Sequence, residues 1–169
     1  GQSGNQVPDI RAKEHSDQIL QVTNPHFMRR FLTNHLPAMQ VQCFEVAACR
    51  IRVLKPHHDK LTVEYNLQCR NGKTGHHFVY DLVGTWREDH RNSALDYFYR
   101  TLWRRGFSRQ HRLNIPQPAG YWSRLHLRLR ERASGKLLKD FINYADADWT
   151  APMHRVGAWL AKLHNSGIE

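Results

Sequence analysis

The chain has 169 residues, 40% of them apolar and 11% aromatic, enough for one cored domain, or one domain and part of a second, and too apolar for a disordered tail. The formal net charge is +10, from 25 basic and 15 acidic residues, which favours polyanionic partners such as nucleotides, nucleic acid or an acidic protein surface. No apolar run approaches the roughly 18 residues that span a bilayer, no hydrophobic signal segment opens the chain, and Cys43, Cys49 and Cys69 are odd in number and lack metal-ligand spacing, so the expectation is a cytoplasmic protein with reduced thiols and no membrane partner.

Residues 1–15 are polar and unpatterned, and Ser16 to Val22 allows a short turn of helix. Asn24-Pro25 is a helix start, a capping side chain followed by a proline in the first turn. Phe27, Met28, Phe31 and Leu32 then share one face of a helix ending near His35. Cys49, Ile51 and Val53 alternate with Arg50 and Arg52, and Leu61, Val63, Tyr65, Leu67 and Cys69 alternate with polar residues. With Phe78, Tyr80 and Leu82 these make three strands of an antiparallel meander, and Asn71-Gly72 predicts a tight type I′ hairpin between the second and third. Glu88–Ser93 starts a helix striped by Leu95, Phe98, Leu102 and Trp103 and stopped by Gly106.

Pro116 and Pro118 set the chain extended, and Leu125, Leu127 and Leu129 alternate with His126, Arg128 and Arg130 as a fourth strand with one apolar face. Glu131–Gly135 breaks that strand, and Leu137, Leu138, Phe141 and Ile142 then have helical spacing. Strand, short polar turn and helix in this order are the layout of a hinge between two lobes. A last helix opens at Thr150 and Pro152, is striped by Met153, Val156, Leu160 and Leu163, and stops at Gly167. The fold class is α+β, an antiparallel sheet with flanking helices.

Several pieces of this order resemble the N-terminal lobe of the aminoglycoside phosphotransferase and choline kinase-like superfamily. Val53-Leu54-Lys55-Pro56 with Leu61-Thr62-Val63-Glu64-Tyr65 is similar to its first hairpin, and Leu82-Val83-Gly84-Thr85-Trp86 to its third strand. Leu102–Phe107 followed by Ile115-Pro116-Gln117-Pro118 resembles the next helix end and its link. Glu131-Arg132-Ala133-Ser134-Gly135-Lys136-Leu137 resembles the hinge, and Leu160-Ala161-Lys162-Leu163-His164 the helix beyond it. The resemblance implies a lead-in over 1–23, a kinase-like N-lobe over 24–130, and over 131–169 the hinge and start of a truncated second lobe.

It further implies a nucleotide-binding lobe of a small-molecule phosphotransferase that takes ATP with Mg²⁺ in the complete protein. Adenine would meet the backbone of Glu131, Arg132 and Ala133, and phosphates would meet Lys55, Lys60 and Arg87. Thr85 stands where the family-like run Val-Gly-Lys carries its phosphate-holding lysine, and Arg87 is the nearest cation on the same side of the strand. The helix acid that would partner such a cation is Asp96, with Glu88 as second choice. The family's catalytic base lies in a His-Gly-Asp motif of a C-terminal lobe, and the sequence has no such run, so no catalytic residue is assigned and the chain alone is expected to be inactive.

The alternative is a non-catalytic binding module, a pseudokinase-like lobe or basic adaptor that engages the missing lobe, another protein or nucleic acid. Tyr97, Tyr99, Trp103, Tyr121 and Trp122 beside Arg100, Arg104, Arg105 and Arg124 are the residues that would form an aromatic-basic surface for single strands. His57-His58-Asp59 and His76-His77 read as solvated turns rather than a metal site.

Overall fold

The computed structural model describes residues 10–57, 59–89, 91–134 and 148–168. Helices α1 (Ile10–Val22), α2 (Pro25–His35) and α3 (Pro37–Gln42) precede strands β1 (Phe44–Pro56), β2 (Lys60–Asn71) and β3 (His77–Arg87). Helix α4 (Arg91–Leu102), strands β4 (Pro118–Trp122) and β5 (Leu127–Glu131), and helix α5 (Thr150–His164) follow. The five strands form one antiparallel sheet in the order β1-β2-β3-β5-β4, so the α+β class holds.

One face of the sheet is almost wholly apolar. Register brings Leu61, Trp86 and Leu127 into one row, and Val63, Gly84 and Leu129 into the next. Val22 from α1, Met28 and Leu32 from α2, and Leu36 and Met39 around α3 close over these rows, all at most 1% exposed. Two polar side chains are buried in this layer with their hydrogen bonds made. Tyr65 Oη donates to Val22 O at 2.7 Å. Gln18 accepts from Trp86 Nε1 at 3.2 Å and donates to Arg124 O at 3.1 Å, which ties α1 to the sheet. Gly84 makes room for the Tyr65 ring, because a Cβ there would lie 2.7 Å from Tyr65 Cε2.

The opposite face is covered only in part. Helix α4 lies over β3, β4 and β5, and Leu102, Phe107 and Ile115 form a second small core with Trp159 and Leu163 of α5. Lys162 of α5 donates to Leu113 O at 2.8 Å and to Gly106 O, fastening α5 to the α4–β4 connector.

Local structure departs from the sequence reading at identifiable places. Helix α1 is longer than Ser16–Val22, and β1 starts at Phe44 rather than Cys49. The β2–β3 turn is wider than a type I′ pair: the Asn71 side chain accepts from the N–H groups of Lys73 and Thr74, and the positive φ falls at Gly75 (69°). Gly106, at φ 90°, does end the helix. Pro118–Trp122 is a true strand, and Leu125 belongs to a tight turn, Ser123–Leu125, closed by His126 at φ 49°. The helix expected over 137–142 lies outside the described residues. On α5 the expected buried stripe divides, with Leu163 packed and Met153, Val156 and Leu160 exposed to 55%, 37% and 46% among the described residues.

Candidate functional site

The hinge segment leaves the sheet gradually. Glu131 N–H donates to Gln117 O at 2.9 Å and Arg132 N–H to Asp81 O at 3.0 Å, so both donors are spent in extending the strand pairing. Ala133 is the first residue after β5 whose N–H makes no backbone hydrogen bond among the described residues. The Glu131 carboxylate accepts from Tyr80 Oη at 3.2 Å and pairs with Arg109. Burial, reinforced by that carboxylate, pushes the Tyr80 hydroxyl pKa well up. Arg132 lies 3.6 Å from Glu64, which also accepts from Arg52 Nε at 2.8 Å. Glu131–Ser134 line one wall of a cleft of about 540 Å³, with Trp103, Arg109 and the connector Asn114–Gln117 on the other.

The cations expected to meet phosphate stand elsewhere. Lys60 pairs with Arg87 across β2 and β3, and Glu131 pairs with Leu82. Five residues of β3, about 17 Å of strand, thus separate Arg87 from the hinge. Arg87 is moreover committed to Asp89 through two hydrogen bonds of 2.9 Å. That bond raises the Arg87 pKa and holds the Asp89 carboxyl at about 2. Lys55 is placed by its backbone opposite Thr62, and its side chain lies outside the description. The structure does not gather Lys60, Arg87 and Glu131–Ala133 into one site.

It gathers a different set under α4. Arg128 alternates with leucines and reads as a solvated position, yet it is 9% exposed. Strand β5 is flanked by β3 and β4, so α4 covers its second face too, and Arg128 stands opposite Thr85 on one side and Tyr121 on the other. The Arg128 guanidinium lies 4.7 Å from the centre of the Tyr99 ring. Burial lowers its pKa, and the nearby Tyr99 and Asp96 act against that. Asp96 is 8% exposed and accepts from Arg100 Nε at 2.6 Å, one helical turn away. Asn92, 1% exposed, donates from Nδ2 to Thr85 O and His126 O, each at 2.8 Å, and pins α4 where β3 and β5 meet the turn.

Three buried polar atoms in this cluster lack a hydrogen-bond partner among the described residues: Asn92 Oδ1, Asp96 Oδ1 and Arg128 Nε. Such atoms are rare in folded proteins, since each unmade bond costs about 1–3 kcal/mol. Asp96 is the one sequence-predicted site residue in this cluster. Arg128 and Asn92 were not legible as site residues, because no periodicity reveals a strand covered on both faces by unlike layers.

The expected aromatic-basic surface does not form as one patch. Tyr99 and Trp103 pack on the α4 side, whereas Trp122 packs with the α1–α3 core, and Tyr97 stands alone at 74% exposure. Among the described residues no three His, Cys, Asp or Glu side chains come together to hold a metal, and no helix is long and apolar enough to cross a membrane. His58 lies outside the described residues. Burial pushes the Cys49 and Cys69 thiols up to about 11, which leaves neither a ready nucleophile. No protein-family model, no curated protein and no solved structure matches the chain.

Proposed function

We propose that this chain is a nucleotide-binding lobe of the kinase-like type, which holds ATP against its hinge and does not by itself transfer phosphate. The alternation of elements supports the reading: three meander strands, a helix, then β4 and β5 running into the hinge. The observation that carries it is the Arg128–Asp96 neighbourhood. The resemblance places a phosphate-holding cation at or near Thr85, with an acid on the following helix. Arg128 supplies a cation from the next strand, opposite Thr85 in register, and Asp96 is the acid beside it.

Three residues of β5, about 10 Å of strand, separate Arg128 from the hinge. Adenine would be held at Ala133 and the cleft lined by Trp103 and Glu131–Ser134, and a phosphate would meet the Arg128 guanidinium only after α4 shifts, because Arg128 Nε is buried and does not line that cleft. Mg²⁺ would arrive on the triphosphate. The absence of a His-Gly-Asp run from the sequence is the reason to assign binding and not transfer to these residues. The non-catalytic alternative, a pseudokinase-like lobe or basic adaptor, is favoured by one observation: Arg87, the cation next in line on β3, is already paired with Asp89.

The test is a titration with Mg-ATP followed by thermal unfolding and amide NMR, with AMP and a polyphosphate as controls. Mg-ATP at 100 times its Kd should stabilise the fold by about 2.7 kcal/mol. Amide shifts should centre on Ala133 and Thr85, and Arg128→Met should weaken binding at least tenfold. An equal response to polyphosphate, or no response to Mg-ATP, would move the function to the binding-module reading.

A further inference from the structure

On the other face of the molecule, helix α2 carries a column of rings that the nucleotide reading does not use. Phe27, Phe31 and His35 follow one another at i, i+4 and i+8. Phe27 and Phe31 stack at 5.8 Å with 13° between planes, and Phe31 and His35 at 4.4 Å with 16°. His35 is held in that stack by Nδ1, which donates to Phe31 O at 2.9 Å. Trp122 meets Phe31 edge-on at 5.4 Å. Its ring lies flat over its own strand because residue 120 is glycine: a Cβ there would stand 2.3 Å from the indole.

The rings border two adjoining clefts of about 370 and 400 Å³, one reaching Arg124 and the other Arg30. Arg30 and Asn34 also open onto a third cleft of about 430 Å³ that adds Arg29 and the Arg70–Glu45 ion pair. Neither Arg30 nor Arg124 has a carboxylate partner among the described residues. A groove in which a ring column with two end faces and the Trp122 ring stand between Arg30 and Arg124 suits a flat, anionic, repeating ligand. A second copy of this chain, itself at +10, would meet it with like charge.

We propose that this groove binds single-stranded nucleic acid, with bases stacking on the outer faces of the end rings Phe27 and His35 and on Trp122, and phosphates meeting Arg30 and Arg124. Stacking on aromatic side chains tolerates any base, so the site would read strandedness rather than sequence. A duplex keeps its bases stacked on one another and cannot offer their faces.

The experiment uses the full chain and a fluorescein-labelled 12-nucleotide single strand of mixed sequence, titrated by anisotropy at several salt concentrations. Saturable binding should weaken with salt, with a log–log slope of about −0.7 per phosphate contact. Arg30→Gln and Arg124→Gln should each make that slope shallower by about 0.7. His35→Ala, which removes the exposed ring at the end of the column, should weaken binding about 5- to 150-fold with the slope unchanged. Phe27→Leu, which keeps apolar volume and removes the ring at the other end, provides the same readout. Wild-type affinity in both ring variants, equal affinity for a duplex of the same length, or equally effective competition by polyglutamate would overturn the proposal. Displacement of the strand by Mg-ATP would place it at the hinge cleft and overturn the α2 assignment, whereas independence from Mg-ATP keeps this proposal separate from the nucleotide reading.

Discussion

The two faces of the sheet solve the same burial problem in different ways. Under α1–α3, sixteen buried side chains among the described residues form one contiguous apolar core, and the polar groups it traps, Tyr65 Oη and the Gln18 amide, have partners. Under α4, beside the small apolar core of Leu102, Phe107 and Ile115, the buried polar set is Asn92, Asp96 and Arg128, each with a polar atom left without a partner among the described residues. Burial of apolar surface stabilises a fold by about 25 cal/mol per Å², whereas a buried charge gains little net stability even when paired. The contrast assigns the fold's stability mainly to the first face and places the candidate chemistry on the second.

The sharpest way to break this contrast is to remove the largest buried side chain of the first face. Trp86, 1% exposed, also loses its bond to Gln18 when replaced, so Trp86→Ala should cost about 3–5 kcal/mol in urea unfolding. A loss below about 1 kcal/mol would mean that the core is not where the stability lies. Next in size is Asn92→Ala on the α4 face. It strips a donor from Thr85 O and His126 O and should cost about 1–3 kcal/mol. Its hydrogen-exchange signature should be confined to α4 and the β3–β5 junction, where a loss spread over β1 and β2 would contradict the separation of the two faces.

The smallest effect concerns Asp89, an exposed partner of Arg87 just past the end of β3, the central strand. Its folded pKa is depressed to about 2, chiefly by the Arg87 hydrogen bond, below the usual value near 4. The stability it contributes is therefore present above about pH 4 and is lost as the pH falls through about 2. Asp89→Asn retains an acceptor for the Arg91 N–H and removes the charge together with the second acceptor oxygen that Arg87 uses. It should cost less than about 1 kcal/mol at pH 7, as exposed pairs do, and the difference from wild type should vanish near pH 2.

Much of the fold was legible because local chemistry and burial agree. The period-two runs of β2 and β3, the Asn24 cap and the Gly106 stop all appear where their residue types demand. Strand β4 was not legible, since Pro118, Ala119 and Gly120 carry no apolar alternation and the segment is a strand only because β5 offers it a partner. Length was underestimated for α1 and β1 for a similar reason: their outer ends are held by neighbours rather than by their own pattern.

The site was legible only in fragments. Glu131, Arg132 and Ala133 line a cleft and Asp96 is buried under α4, whereas Lys60 and Arg87 are neighbours of each other and stand apart from that cleft. A sequence reports spacing along one strand, and spacing puts Arg87 on the same side of β3 as Thr85. It does not report that Asp89 would take that guanidinium, or that β5 would bring Arg128 opposite Thr85.

Residue order by itself determined most of the secondary-structure types and their sequence, α3 and β4 excepted, together with the antiparallel meander and the basic charge, because each follows from short-range sterics, hydrophobic period and residue counts. Tertiary structure alone decided which cations are free, which polar groups are buried, and that the rings of α2 meet Trp122 across Gly120. The physical reason is that side-chain desolvation and pairing depend on neighbours from distant parts of the chain, and β5 acquires its neighbours only when it inserts between β3 and β4.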